Sequence, residues 1–242
     1  MMRSYIVYLV NAVSIFVILG CGATEETTST VEELPVTPEN ADYSYLALGD
    51  SYTIGESVCD TCRFPIQLET ALEEQTGKSV HTDIIATTGW RTDNLINAID
   101  NQNPNKNYDF VTLLIGVNNQ FQGTPFNVYE NEFPQLLMTA ISLAQGDKER
   151  VVVVSIPDYA FTPYGQTTTN TQQISDELDK YNAYAKEVAE KRGVKFLNIT
   201  DITRRGIDEP NLVASDGLHP SEDAYAEFVD RLLPIVSAIL KD

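Results

Sequence analysis

Residues 151–156 read Val-Val-Val-Val-Ser-Ile. Four consecutive β-branched residues are stiff at χ1 and fit a pleated surface, and with no polar residue at alternate positions both faces of the run must be buried. That is the signature of an inner strand of a parallel sheet. On either side of it lie segments of a different period. Tyr129–Gln145 before it and Ile174–Lys191 after it carry apolar residues at three-and-four spacing, the pattern of helices that bury one face. The same alternation extends outward in both directions. Tyr45–Leu48, Val80–Ile85, Phe110–Ile115 and Val194–Ile199 are further short apolar runs, while Pro65–Gln75, Asp93–Asn101 and Glu222–Leu240 are further amphipathic segments, with Gly77, Gly146 and Gly193 as helix stops. Strand followed by helix, repeated along the chain, predicts one α/β domain over residues 43–242, with a five-stranded parallel sheet covered by helices on both faces. In such sheets ligands bind beyond the carboxyl ends of the strands, near the point where strand order reverses.

The remaining residues read differently. Residues 5–19 are apolar and follow Arg3, which matches an export signal better than a membrane span, and Ile18-Leu19-Gly20-Cys21 resembles the bacterial lipobox. Residues 1–20 are therefore expected to be a lipoprotein signal and Cys21 the lipidated first residue of the mature chain. Residues 21–42, rich in Thr, Glu, Ser and Pro, read as a disordered tether whose ~20 residues would span roughly 25 Å root-mean-square. The expected location is the cell envelope, with the membrane contacted through the lipid only. The 242 residues carry 16 Lys+Arg against 35 Asp+Glu, a formal charge of -19. Nucleic acid is excluded as a partner, because its binding relies on clustered basic residues that neutralise phosphates.

Besides Cys21 the chain has only Cys59 and Cys62, in Cys-Asp-Thr-Cys. In an oxidising compartment a disulfide is the leading reading, with a redox-active pair as the alternative. A metal site would need two more soft ligands, and no second Cys pair or His cluster supplies them, so no metal is expected.

The chemistry-bearing residues follow the predicted strands. After the first comes Gly49-Asp50-Ser51-Tyr52-Thr53, a Ser at a strand-to-helix turn where the backbone N–H groups of the helix start are free. Thr53 stands where a G-x-S-x-G elbow requires Gly. After the second comes Thr88-Gly89-Trp90-Arg91, where Gly89 leaves room for its N–H to approach a reacting atom. After the third comes Gly116-Val117-Asn118-Asn119, with a side-chain amide able to donate to an oxyanion. Before the final helix stands Asp216-Gly217-Leu218-His219-Pro220. The chain has only two histidines, and His81, inside the second strand, reads as structural or exposed. Pro220 is expected at the first helical position, which keeps His219 extended. Trp90, Phe121, Tyr159, Phe161 and Tyr164 fall on loops at the same sheet edge, as candidate pocket or packing residues, and Arg91 is expected to pair with a carboxylate.

Taken in order, Gly-Asp-Ser, Gly, Gly-x-Asn and Asp-x-x-His resemble the SGNH branch of the GDSL hydrolases across Tyr45–Leu240. The resemblance implies a flavodoxin-like three-layer α/β/α sandwich, the SGNH hydrolase fold. It implies Ser51 as nucleophile, His219 as general base, Asp216 as its orienter, and an oxyanion hole formed by the Ser51 and Gly89 N–H groups with the Asn118 amide. No cofactor is implied. A serine hydroxyl is a weak nucleophile at neutral pH, so it needs an imidazole, whose ordinary pKa of ~6.5 lets it take and return a proton. The expected reaction is hydrolysis of an acyl ester of a small molecule, carbohydrate or lipid. Acyl transfer to another alcohol on the same site, or ligand binding without catalysis, are the alternatives. Two departures stand out: Tyr52 replaces the Leu of Gly-Asp-Ser-Leu, and Asn119 replaces the frequent Asp of Gly-x-Asn-Asp.

Overall fold

A computed structural model describes residues 40–241. The proposed signal, Cys21 and nearly all of the tether lie outside the described residues. Five strands, β1 (Tyr43–Gly49), β2 (Val80–Ala86), β3 (Phe110–Leu114), β4 (Val151–Val154) and β5 (Lys195–Leu197), form one parallel sheet in the order β2-β1-β3-β4-β5. The chain moves outward from β1 to β2 and then returns past it to β3, so the order reverses between β1 and β3. This is the flavodoxin-like arrangement, and its switch point lies where Gly49 and Leu114 face each other in register.

Burial explains the sequence pattern. Every residue of β3 and β4 is buried, as are Tyr45–Gly49 of β1, whereas the edge strands β2 and β5 are only partly covered. The Val151–Val154 run is the inner strand that its two-sided apolarity predicted. β4 and β5 end earlier than their apolar runs because Ser155 intervenes. Its hydroxyl accepts the Ile199 N–H at 2.8 Å and bonds the Thr200 hydroxyl at 2.8 Å, which replaces ladder pairing with side-chain bonds.

The major helices are α2 (Phe64–Thr76), α3 (Thr92–Gln102), α5 (Phe126–Leu143), α6 (Thr171–Lys191) and α8 (Glu222–Ile239), with short helices α1 (Ser51–Ile54), α4 (Val117–Phe121) and α7 (Thr200–Thr203). In α2, Phe64, Leu68 and Leu72 recur every four residues, so one stripe faces the core, and Gly77 caps its end. That stripe meets α8, where Phe64 packs against Tyr225 and Phe228 at centroid distances of 6.1 and 6.4 Å. α5 starts earlier than its periodicity predicts because Phe126 packs edge-on against Tyr181 of α6, with centroids 4.8 Å apart. Among the described residues no helix is long and apolar enough to cross a membrane.

Candidate active site

Ser51 opens α1 directly after β1, and Asp50 caps that helix by accepting the Tyr52 N–H at 3.0 Å. An Asp one residue before a helix start is a recognisable cap, so this role was legible in the sequence. Asp50 is fully buried, and burial pushes its carboxyl up to about 7 against the opposing pull of the Tyr52 N–H. Ser51 is 3% exposed, and its hydroxyl makes no hydrogen bond within the described residues. It borders a cavity of about 190 Å³ whose wall also includes Gly89, Asn118, Phe121, Tyr159 and His219.

The loop after β2 delivers Gly89. A Cβ placed there would meet nothing within 4 Å, but the backbone φ is +81°. Glycine is thus required by the left-handed backbone, and not by the close approach inferred from the sequence. Its carbonyl accepts Gln122 Nε2 at 2.8 Å, tying the β2 loop to the end of α4. The loop after β3 turns at Gly116, with φ at +131° and a hypothetical Cβ 2.6 Å from the Tyr129 ring, so both strain and space demand glycine. Asn118 follows on α4, and its Nδ2 donates to the Trp90 carbonyl at 3.0 Å. One of its two N–H groups is thereby used and the other is left. Asn119 points elsewhere: it accepts the Thr92 N–H at 3.1 Å and donates to the Thr92 hydroxyl at 2.7 Å, anchoring the start of α3.

The fourth segment carries His219. Residues 213 and 220 form an isolated antiparallel bridge, and the Ala214 N–H donates to the His219 carbonyl at 2.8 Å. Pro220 sits in this bridge, and α8 starts later, capped by Ser221, whose hydroxyl accepts the Ala224 N–H. The expectation of Pro220 at the first helical position is therefore corrected: backbone pairing with the 212–214 segment holds His219 extended. Its Nδ1 lies 2.6 Å from Asp216 Oδ2, while Asp216 Oδ1 accepts the N–H groups of Leu218 and His219 at 2.9 and 3.0 Å. Burial alone would raise the Asp216 carboxyl, but hydrogen bonds from His219, Ser57 and these N–H groups outweigh it and bring it down to about 2. The Tyr52 ring packs against the imidazole, with centroids 5.1 Å apart. His81 lies on edge strand β2, 3.2 Å from Asp83.

Of the aromatic candidates, Phe121 and Tyr159 wall the cavity, their rings edge-on at 5.4 Å, and Tyr164 flanks Phe121 at 6.2 Å. Trp90 contributes its carbonyl to Asn118, and Phe161 packs against the core. Arg91 pairs with Asp93 at 2.8 Å and donates to Gln122 at 2.6 Å. Cys59 and Cys62 are joined by a disulfide in the turn between α1 and α2. Ser57, in that turn, had no sequence signal. Among the described residues, no cluster of three or more His, Cys, Asp or Glu is placed to hold a metal ion.

Four strand-end segments thus converge on one cavity at the switch point. A family model, described as the GDSL-like Lipase/Acylhydrolase family, matches residues 47–227. The chain belongs to this family. Its class of activity is carboxylic ester hydrolysis. The fold is shared with solved structures of low identity. A member of the lipolytic G-D-S-L family from Veillonella parvula is 16% identical, with a TM-score of 0.60 over 80% of this chain and 98% of that one. A variant of an acetyl xylan esterase from Geobacillus stearothermophilus is 17% identical, with a TM-score of 0.57 over 81% and 95%. A psychrotrophic esterase from Pseudoalteromonas, inhibited by monoethylphosphonate in that structure, is 14% identical, with a TM-score of 0.57 over 83% and 100%. Comparison with curated protein sequences finds no match.

Proposed function

We propose that this GDSL-family hydrolase cleaves a short-chain carboxylic ester through an acyl-enzyme on Ser51. The observation that carries the reading is the convergence of Ser51, Gly89, Asn118 and His219 on one cavity, with Asp216 bonded to the far side of the imidazole. Ser51 Oγ attacks the ester carbonyl carbon while His219 Nε2 takes its proton. The resulting oxyanion accepts the Ser51 and Gly89 N–H groups and the remaining N–H of Asn118. Collapse breaks the bond to the alcohol oxygen, which leaves with the proton from His219, and water repeats the sequence to release the acid. Asp216 stays ionised throughout the working range, so it holds the tautomer with Nδ1–H and stabilises the imidazolium. Hydrogen bonds of this kind often tighten only with substrate in place, which suits a Ser51 hydroxyl left free beside the imidazole.

A cavity of about 190 Å³ is smaller than the ~300 Å³ and above usual for sites that enclose larger ligands, which favours a short acyl group. Acetylated carbohydrates join the candidate substrates because one structural relative is an acetyl xylan esterase. We also propose that the mature chain is held in the cell envelope by lipid on Cys21. The central test is stoichiometric labelling with an ethyl phosphonate. Labelling at Ser51, together with loss of esterase activity in Ser51→Ala, is expected. Full activity in Ser51→Ala would refute the mechanism, and faster turnover of p-nitrophenyl laurate than of the acetate would refute the short-chain assignment.

A further inference from the structure

The carboxylate of Asp216 is filled by four donors, and one of them comes from far away in the chain. Ser57 Oγ donates to Asp216 Oδ2 at 2.7 Å, the same oxygen that faces His219 Nδ1. Ser57 holds a left-handed backbone, φ +68°, although it has a side chain, which costs energy unless the surroundings impose it. The surroundings do so. The Val58 N–H donates to the Gly55 carbonyl at 3.2 Å, the Cys62 N–H to the Cys59 carbonyl at 2.9 Å, and the Cys59–Cys62 disulfide closes the turn. Gln67 Nε2 fastens Cys62 to α2 at 2.6 Å. The preceding residue, Glu56, accepts the hydroxyl of Thr88, which borders the cavity beside Gly89. One cross-linked turn therefore touches both the Asp216–His219 loop and the Gly89 loop.

We propose that Ser57 is a positioning residue of the hydrolase reaction: held by the disulfide-closed turn, its hydroxyl fixes the Asp216 carboxylate, and through it the His219 ring, in working orientation. This rests on the assignment of Ser51, Asp216 and His219 above. Two oxygens with two donors each leave the carboxylate one orientation, whereas without Ser57 the oxygen facing His219 keeps the imidazole as its sole donor and the group is freer to turn away from the ring. A hydrogen bond to an ionised group is worth enough that its loss should cost about tenfold or more in rate if it acts on the transition state.

The test uses Ser57→Gly, which removes the hydroxyl while relieving the backbone strain, with Ser57→Ala as a second variant that keeps Cβ. The expected result is a kcat about tenfold lower with KM changed less than about twofold, an unchanged urea midpoint or a higher one for the Gly variant, and a shift of the far-downfield proton NMR signal of the His219 Nδ1–H. That signal is assigned by its loss in His219→Gln. A kcat within about threefold of wild type in both variants, with the signal unmoved, overturns the proposal. The NMR readout does not need turnover, so failure here is separable from failure of the Ser51 mechanism. In a double-mutant cycle, Cys59→Ser with Cys62→Ser is expected to lower kcat in the parent but to add little to Ser57→Gly. Full additivity would overturn the role given to the disulfide.

Discussion

Asn118 has two amide hydrogens and gives one to the Trp90 carbonyl, so its orientation is set before any substrate arrives. A preoriented donor to an oxyanion is typically worth about 2.7 to 4 kcal/mol, and Asn118→Ala should lower kcat roughly a hundredfold or more with a preserved fold; a change below about threefold would remove Asn118 from the oxyanion hole. The two carboxyls of the site have opposite environments. Asp216 is depressed to about 2, so the stability it contributes is present above its unfolded value and is lost only as pH falls through about 2; being partly exposed, that contribution is small. Asp50 is raised to about 7 from an unfolded value near 3.9, so the folded state holds the extra proton between these limits and stability declines as pH rises through them, by up to about 1.4 kcal/mol per unit. Urea midpoints of wild type and Asp50→Asn at about pH 5 and about pH 8 isolate this effect: the decline should be smaller in the variant. Equal declines would show that Asp50 is not held protonated. At this scale the sequence was informative wherever partners are close in the chain. Asp216 and His219 are three residues apart and Asp50 is adjacent to the helix it caps, so local geometry nearly dictates the contact.

Elements were legible where one face or both had to be buried. Inner strands β3 and β4 read as unbroken apolar runs, and α2, α3 and α8 were bounded to within one residue because their apolar stripes start and stop with the helix. Boundaries set by side-chain bonds were not legible. Ser155 ends β4 by bonding Ile199 and Thr200, and Pro220 is drawn into a bridge with Val213, both partners that only packing brings near. The α2–α8 layer rests on Phe64 against Tyr225 and Phe228, all fully buried. Phe64→Ala should therefore cost about 3 to 5 kcal/mol of unfolding free energy, read from urea denaturation, whereas a loss under about 1 kcal/mol would mean that the layer closes over the cavity. The same helix anchors the disulfide turn through Gln67, so the fold and the site share this layer.

For the whole molecule, the order β2-β1-β3-β4-β5 places the ends of β1, β2 and β3 side by side, which is why residues as distant as Ser51, Gly89 and Asn118 reach one cavity. The charge of -19 argues against attraction to anionic headgroups, so membrane association is assigned to the proposed lipid. Cys21→Ser should move the protein from the membrane fraction to the aqueous phase on detergent partitioning; retention in the membrane would refute lipid anchoring. The sequence by itself determined the alternation of strands and helices, the parallel sheet and the five residues assigned to the chemistry, because burial periodicity and short motifs are local properties of the chain. Only the tertiary structure decided what holds them: Ser57 on Asp216, Gln122 on Gly89 and Tyr52 against His219. Two of these pairs lie 159 and 33 residues apart, and contacts of that range are fixed by how the elements pack, which no local pattern encodes.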